Sequence, residues 1–226
     1  MSNDFGMRPI AHIHTCYHEK FGVPRQSGLI DSPATVVFGP EYSDPESFRG
    51  IEEFSHLWLI WLFSGNSPGT WSPTVRPPRL GGNRRVGVFA SRSPFRPNPI
   101  GMSCVRLDAV EHTAQHGTVL HVSGADMTDN TPILDIKPYI PYADSIPGAK
   151  GGYAAERPGA VLKVSDPDGV LEDIPESGRR IIVSVIELDP RPAYHSDPGR
   201  VYGMTLAGYD IHFRVDGDEA TIISVS

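Results

Sequence analysis

Hydrophobic residues along the chain fall into short runs, and most of these runs predict strands. Residues 54–63 (FSHLWLIWLF) are continuously apolar, which is typical of a strand buried on both faces. Residues 102–110 alternate polar and apolar side chains with the period of a half-buried strand, and residues 117–123 predict its hairpin partner. Residues 35–38 and 85–90 are further strand candidates.

The C-terminal part has a different pattern. Residues 178–188 space Ile, Val and Leu at roughly helical intervals, although β-branching disfavours a helix. Residues 209–215 and 220–225 flank an acidic turn and predict a hairpin. We therefore expect a β domain (1–148), a Gly-, Pro- and Asp-rich linker (149–171) and a small α+β domain (172–226).

Four long irregular loops are predicted between the elements of the first domain. All four are rich in Pro, Gly and polar residues, and long loops of this kind in a compact domain are usually functional. The loops are residues 20–32, 68–84, 91–101 and 129–147.

The cysteines and the apolar runs indicate the cellular compartment and argue against a metal or a membrane as a partner. The only cysteines, Cys16 and Cys104, form no metal-binding pattern and predict no disulfide framework. The longest apolar run, residues 57–63, is too short to span a bilayer, and no signal peptide is apparent. We expect a soluble cytoplasmic protein that uses neither a metal nor a membrane.

The formal net charge of −7 hides a strongly asymmetric distribution. Residues 54–107 contain no Asp or Glu but seven Arg, so the remaining 172 residues hold all 27 acidic residues. Nucleic-acid binding depends on a local positive face and not on the overall sum. The stretch therefore indicates a basic surface, although some of its arginines are expected to pair with acids elsewhere.

The loop at 91–101 (SRSPFRPNPIG) combines three prolines with two arginines. Prolines 94, 97 and 99 forbid a helix and stiffen an extended backbone, which presents Arg92 and Arg96 to an anionic ligand. Asn98, held between two prolines, has little backbone freedom. The simpler alternative is an ordinary surface turn.

Residues 87–103 (GVFASRSPFRPNPIGMS) closely resemble the signature of the TsaA-like (TrmO-type) tRNA methyltransferase family. Five other segments resemble further family blocks in the expected order, so the resemblance covers nearly the whole chain. They are EKFGVPRQSGL (19–29), RGIEEFSHLW (49–58), WSPTVRPPRLGGN (71–83), DNTPILDIKPYIPYADS (129–145) and DPRPAY (189–194).

The resemblance implies a mainly β protein with a single-sheet β-barrel core, a homodimer, and S-adenosylmethionine bound near the subunit interface. It also implies N6-methylation of threonylcarbamoyl-adenosine beside the anticodon of tRNA(Thr). The cofactor residues it implies are Pro24, Arg25, Gln26, Phe63, Ser64, Arg92, Met102, Met127, Thr128, Asp129, Asn130 and Thr131. Two departures from the family pattern are Ser64-Gly65, where a bulkier polar pair is expected, and His14-Thr15-Cys16, where Arg-Ser-Pro is usual.

The implied acceptor nitrogen is amide-like, so it must lose its proton before or during attack, which calls for a general base. Our candidates are Asp126, Asp129 and Tyr194, with Asp135 and His56 weighed beside them. Asp129 has an alternative role in an Asx turn, Asp135 in pairing with Lys137, and His56 in the core. Trp58, Trp61 and Trp71 are candidates for stacking on the target base, the first two having a core alternative. The expected substrate-binding residues are Arg76, Arg79, Arg96, Asn98, Lys137 and Arg191.

Two other functions stay open on the sequence alone. One is a protein that binds S-adenosylmethionine or a nucleotide without catalysis, which the Ser64-Gly65 departure allows. The other is a methyltransferase with a non-RNA substrate, which the net acidity allows.

Overall fold

The computed structural model describes residues 6–65, 71–192 and 197–226. It is mainly β, with twelve strands in the described ranges and one α-helix of more than a single turn. The strands are β1 Ala11–His14, β2 Pro33–Phe38, β3 His56–Leu62, β4 Thr74–Val75, β5 Val86–Gly87, β6 Ile100–Thr113, β7 Gly117–Ser123, β8 Thr131–Pro138, β9 Lys163–Ser165, β10 Val201–Leu206, β11 Tyr209–Asp216 and β12 Glu219–Val225. The α-helices are α1 Pro141–Asp144 and α2 Glu176–Glu187, and the 3-10 helices are Pro40–Tyr42, Pro45–Phe48, Ile51–Glu53, Pro78–Leu80, Val88–Ala90 and Gly152–Ala154.

Six strands close into one antiparallel barrel in the order β1-β2-β7-β6-β3-β8, which confirms the expected single-sheet barrel. Alternate side chains of β3 point inward, where Leu57, Leu59 and Trp61 are buried. The residues between them are only half-buried, so the prediction that this strand is buried on both faces is wrong. A barrel strand has one face inside and one outside, and here the outer face is apolar as well.

Strand β8 lies inside the segment that we predicted as irregular (129–147), so that part of the prediction is wrong. Pro132 and Asp135 are turn residues in isolation, but the barrel needs a strand between β1 and β3, and the backbone of β8 pairs with both. The predicted strand at 85–90 is also too long. Only Val86–Gly87 is extended, after which a 3-10 turn carries Val88 into the interior.

A second sheet in the order β10-β11-β12-β9 packs against α2, whose Ile182 and Ile186 are fully buried. The helix and the final hairpin agree with the sequence pattern. Part of the segment predicted as a linker belongs to this second unit, because β9 pairs in parallel with β12 and Leu162 and Leu171 are buried there. The domain bounds proposed from the sequence otherwise stay a prediction.

The two units share a core at the segment that follows β1. Tyr17 is buried with the second sheet, bridges to Leu206, and donates its hydroxyl to Ser32 at 2.9 Å. The ring of Phe21 stacks on those of Tyr202 and Phe213 at 6.4 Å. This packing holds the following loop against one end of the barrel, which is where a large cavity lies.

Candidate functional site

A cavity of about 1520 Å³ opens at one end of the barrel. Its walls come from the loop after Lys20, the ends of β3 and β6, the β4–β5 hairpin and the residues just after β7. Residues 151–158 border it from the predicted linker. Of the predicted cofactor residues, those that line the cavity are Pro24, Arg25, Gln26, Phe63, Ser64, Arg92, Met102, Met127, Thr128 and Thr131.

The floor of the cavity is a chain of hydrogen bonds between Trp61, Ser103 and Asp126. The indole Nε1 of Trp61 donates to Ser103 Oγ at 2.9 Å, and the Ser103 hydroxyl donates to Asp126 Oδ1. Trp61 and Ser103 are buried. The Trp61 ring lies on Gly101, where an added Cβ would be only 2.2 Å from Cε2 of the indole. Only glycine at 101 therefore allows this arrangement.

Burial raises the pKa of the Asp126 carboxyl to about 6. Hydrogen bonds from the Ser103 hydroxyl and from the backbone amides of Asp126 and Ser27 lower this pKa, as does the positive charge of Arg92, but they do not cancel the effect of burial. The carboxylate is thus mostly ionised near neutral pH while its affinity for a proton is greater than that of an exposed Asp. This is the property that a general base requires.

Residues 24–28 form a loop that is anchored on three sides, and we call it the anchored loop. The Cys104 amide donates to Ser27 Oγ at 3.2 Å, and the Gly28 amide donates to the Gly124 carbonyl at 2.9 Å. From the opposite side, Arg157 donates to the Gly28 carbonyl at 2.8 Å. The loop is therefore fixed to the strand that carries Ser103 and to the turn that leads to Asp126.

Two side chains of the anchored loop reach other parts of the site. Gln26 Oε1 accepts a hydrogen bond from Arg92 at 2.6 Å, which orients the guanidinium that faces Asp126. Arg25 donates to the carbonyls of Asp189 and Arg191 at 3.0 and 3.4 Å. Arg25 thus joins the cavity wall to the second unit and has a structural partner in addition to its place in the wall.

The rim of the cavity carries the arginines of the β4–β5 hairpin. Arg76, Arg79 and Arg85 line it, and all three side chains are exposed. Arg79 donates to the carbonyl of Glu156, and Arg85 donates to Thr74 Oγ1 at 3.1 Å. Within the described ranges the guanidinium of Arg76 has no such partner, so it is available to an anionic ligand.

Arg96 also borders the cavity, and the Nη1 atom of its guanidinium is bonded to the protein backbone. It donates to the carbonyls of Val88 and Ser91 at 3.2 and 2.7 Å and lies over the ring of Phe89. Substrate binding by Arg96 stays a prediction, because these two bonds use only Nη1 and leave the other guanidinium nitrogens without a hydrogen bond in the described residues. Arg92 and Arg96 therefore have different hydrogen-bond partners, a side chain for Arg92 and backbone carbonyls for Arg96, although both belong to the same loop motif.

Asp129 and Asn130 do not line the cavity. The Asp129 carboxylate accepts from the Thr15 amide at 3.0 Å and lies 3.3 Å from His14 Nδ1, and Thr15 Oγ1 donates to the Met127 carbonyl at 3.1 Å. The segment His14-Thr15-Cys16, which differs from the family pattern, thus supports the turn beside Met127. This placement favours the turn interpretation of Asp129, while Asn130 is in the left-handed region at φ 58°.

Three predicted substrate residues also lie away from the cavity. Arg191 makes a two-point ion pair with Asp189 at 2.8 and 3.0 Å, and Lys137 pairs with Asp135 at 2.9 Å. Asn98 is exposed and is not part of the cavity wall.

Two candidates for catalysis or base stacking lie on the outer face of the barrel. His56 bonds to Ser55 at 2.9 Å there, and Trp58 lies beside Tyr139. Tyr194 lies outside the described residues.

Two residues of the site, Ser103 and Phe89, were not predicted from the sequence. Ser103 occupies an inward position of an alternating strand, between residues typical of an ordinary core. A serine at an inward position could have indicated a site residue, because a buried hydroxyl needs a hydrogen-bond partner. Phe89 was hidden in the predicted strand at 85–90, yet its ring is 76% exposed at the cavity rim.

The chain matches two family models along nearly its whole length. The tRNA-methyltransferase O N-terminal domain covers residues 12–145, and the TrmO C-terminal domain covers residues 170–226. The chain belongs to the tRNA-methyltransferase O family. The resemblance inferred from the six sequence blocks is thereby confirmed.

Relatives and solved structures agree with this assignment. The tRNA (adenine(37)-N6)-methyltransferase of Escherichia coli K12 is 42% identical over 223 residues, 94% of each chain. The human protein of the same name is 40% identical over 140 residues, which cover 61% of this chain and 30% of the human one. The crystal structure of TrmO from Pseudomonas aeruginosa superimposes with a TM-score of 0.77 at 33% identity, covering 99% of this chain and 98% of that one.

Proposed function

We propose that this protein methylates N6 of threonylcarbamoyl-adenosine 37 in tRNA(Thr), with Asp126 as the general base. Family membership makes the chain an S-adenosylmethionine-dependent tRNA methyltransferase. A relative over 94% of the chain is named a tRNA (adenine(37)-N6)-methyltransferase, and one over 91% is named a putative S-adenosylmethionine-dependent methyltransferase. The finer choice of the threonylcarbamoyl-modified base rests on the sequence resemblance and on the chemistry of the cavity. The observation on which the proposal rests is one half-buried carboxylate, bonded to the buried Ser103 and with a raised pKa, on the floor of an arginine-rimmed cavity.

The cavity residues fit S-adenosylmethionine. Sites for small molecules usually measure about 300–1,000 Å³, so a cavity of about 1520 Å³ has room for a cofactor and a nucleoside together. Leu29, Phe63 and Met102 supply apolar surface, while Gln26 and Arg92 supply a fixed amide and a cation for the carboxylate. When bound, the cofactor supplies a methyl group on a positively charged sulfur for in-line displacement.

Proton removal is the chemical task of the protein in this reaction. The acceptor nitrogen of threonylcarbamoyl-adenosine is conjugated to a carbonyl, so its lone pair is delocalised until the N–H proton leaves. Asp126 would accept that proton and so free the nitrogen lone pair for the methyl group that a bound S-adenosylmethionine would supply. Ser103 and Ser27 hold the carboxylate in one orientation, and the nearby Arg92 favours its ionised form.

The rim suits the negative charges of the substrate. The threonyl group ends in a carboxylate, and Arg76 lies on the rim with its donors uncommitted in the described structure. Arg79 and Arg85 add positive charge beside it, and no acidic residue occurs between positions 54 and 107. These features support binding of the anticodon loop, where the target base is single-stranded and enters a pocket at little unstacking cost.

The test is an assay of the purified protein on tRNA(Thr) with and without the threonylcarbamoyl group. We expect labelled methyl from S-adenosylmethionine to enter only the modified tRNA, and nucleoside analysis to find the methyl at N6. Equal transfer to both tRNAs would overturn the assigned substrate. Cofactor binding with no transfer to any RNA would instead favour a non-catalytic binding protein.

We also propose that the protein is a cytoplasmic homodimer. Support comes from the outer face of the barrel, where Trp58 and Ile60 are only half-buried and Ile60 pairs in register with Met102, which is 47% exposed. A second copy on this face would cover apolar surface that reaches the cavity. Sedimentation equilibrium should give twice the chain mass, and Ile60→Glu should give the monomer. None of the helices in the described ranges is long and apolar enough to cross a membrane.

A further inference from the structure

Phe89 is an exposed aromatic residue in an unusual setting. Its ring is 76% exposed, although it lies on the rim of the cavity and next to the buried Val88. Single exposed apolar side chains are common and need no explanation by themselves. What distinguishes Phe89 is how firmly the turn beneath it is held.

The turn that carries Phe89 is held from three directions. The Val88 amide donates to the Pro73 carbonyl at 3.0 Å, which ties the turn to the β4–β5 hairpin. The Val88 carbonyl accepts from the Ser91 hydroxyl at 2.8 Å and from Arg96 at 3.2 Å. With Val88 only 1% exposed, the backbone at residue 89 has little freedom. The side chain is therefore presented by a rigid support and not by a mobile loop.

Arg96 also contacts the ring itself. The centre of its guanidinium lies 5.7 Å from the centroid of the Phe89 ring, and the same guanidinium is fixed by the carbonyls of Val88 and Ser91. A cation over an aromatic ring is attracted to its negative face, so Arg96 restricts the orientation of the ring. The exposed remainder of the ring is then ready to receive a flat partner with little further loss of side-chain entropy.

The surroundings indicate what that partner is. Arg85 and Arg92 line the same cavity, and residues 54–107 contain no acidic side chain. An aromatic ring among arginines suits a nucleobase, whose π-face stacks on the ring while its phosphates meet the cations. An apolar protein partner would not need this concentration of positive charge.

We propose that Phe89 is a stacking platform for the base of a nucleotide adjacent to the methylated adenosine. This proposal rests on the proposed function, because it assumes that the cavity receives that adenosine. Phe89 then acts as a positioning residue. It holds the neighbouring base outside the cavity while the target base enters, and so favours a single-stranded loop over a stacked helix.

The experiment measures stacking directly, with an anticodon stem-loop that carries 2-aminopurine beside the target adenosine. Stacking on Phe89 should change the fluorescence of this base when the protein binds, and Phe89→Ala should abolish the change. Phe89→Tyr and Phe89→Trp should retain it, because both keep an aromatic face. In the methyl-transfer assay, Phe89→Ala should lower kcat/KM for tRNA by about 5- to 150-fold, mainly through KM.

Phe89→Leu has a matched control in Phe54→Leu, because Phe54 is also exposed but does not line the cavity. Only the substitution at position 89 should affect KM for tRNA. Calorimetric binding of S-adenosylmethionine should be unchanged in all variants. An unaltered fluorescence change in Phe89→Ala, or an equal loss of cofactor affinity, would overturn the proposal. If the wild-type protein transfers no methyl group at all, the proposed function fails, while the fluorescence comparison still decides whether Phe89 stacks on RNA.

Discussion

The floor and the rim of the cavity are built in opposite ways. On the floor, Trp61, Ser103 and Asp126 are bonded to one another, and the first two are buried. On the rim, Arg76 and Phe89 are exposed. Burial raises a carboxyl pKa and so makes a better proton acceptor, whereas an exposed cation keeps its full charge for a phosphate.

This difference assigns proton transfer to the floor of the cavity and RNA binding to its rim in the proposed reaction. Chemistry on the floor requires a fixed, partly desolvated group, and such a group lowers the stability of the folded chain. Binding on the rim requires many weak interactions, none of which needs burial. Substitutions on the floor should therefore change kcat and stability together, and substitutions on the rim should change KM and salt dependence alone.

The largest effect is expected for Asp126→Asn. Asn keeps the shape and still accepts a hydrogen bond from Ser103, but it does not take a proton, so kcat should fall by about 100- to 10,000-fold. Single-turnover methyl transfer measures the loss, and calorimetry should give an unchanged dissociation constant for S-adenosylmethionine. Retention of more than a tenth of the wild-type kcat would exclude Asp126 as the general base.

The same substitution should stabilise the protein. The pKa of Asp126 rises from 3.8 to about 6 on folding, so the folded state binds the proton more tightly than the unfolded state. Its contribution is therefore favourable at low pH and is lost as the pH rises from 3.8 through 6, at a cost of up to roughly 3 kcal/mol at neutral pH. Urea denaturation should find Asp126→Asn more stable than wild type at pH 8 and show a smaller difference at pH 4.

The second largest effect is expected for Gly101→Ala. An alanine Cβ would lie 2.2 Å from the Trp61 indole, so the ring must move and its hydrogen bond to Ser103 must break. Overpacking of this kind typically costs about 1–3 kcal/mol of unfolding free energy. Gly87→Ala is the control, because position 87 has open space and an extended backbone. Equal stability of the two variants would mean that the floor tolerates rearrangement.

Much of this architecture could be predicted from the sequence, for reasons that are local. The alternation in residues 102–110 and the hairpin pattern after Tyr209 predict strands β6, β11 and β12, because each pattern lies within one element. Strand β8 was missed because its pairing partners β1 and β3 lie far away in sequence. Such pairing overrides the turn preference of Pro132 and Asp135.

The site shows the same limit. Residue type alone makes Asp126 and Asp129 equal candidates for the general base. The fold distinguishes them, because Asp126 is bonded to the buried Ser103 and Asp129 to the exposed His14. Arg92 and Arg96 are four positions apart in one motif, yet the turn at 88–90 uses only Arg96 as an internal donor. The role of such a side chain depends on which carbonyl or hydroxyl lies within hydrogen-bonding distance. Tertiary structure determines that neighbour, and the spacing of residues in a motif does not predict it.

A third test uses pH and should give a smaller effect. The pH dependence of kcat/KM reports ionisations of the free enzyme, and an Asp126 with a pKa of about 6 must be deprotonated to act as a base. Activity should rise through pH 6 and level off above pH 7, with a value at pH 5 about tenfold below the plateau. The affinity for S-adenosylmethionine, measured across the same pH range, distinguishes protonation of Asp126 from a loss of cofactor binding. A profile that is flat down to pH 5 would contradict the raised pKa.

The smallest effect is expected on the rim, and it gives the sharpest contrast with the floor. Arg76→Ala removes one uncommitted cation, so KM for tRNA should rise only about three- to tenfold, with kcat and stability unchanged. The slope of log affinity against log salt should become shallower by about 0.7–0.9, the value expected when one phosphate is no longer neutralised. Arg79→Ala should behave similarly, whereas Arg92→Ala should weaken S-adenosylmethionine instead, because Arg92 is bonded to Gln26 in the cavity wall. If Arg76→Ala and Arg92→Ala weaken the cofactor equally, the rim is part of the cofactor site, and the separation of chemistry from RNA binding does not hold.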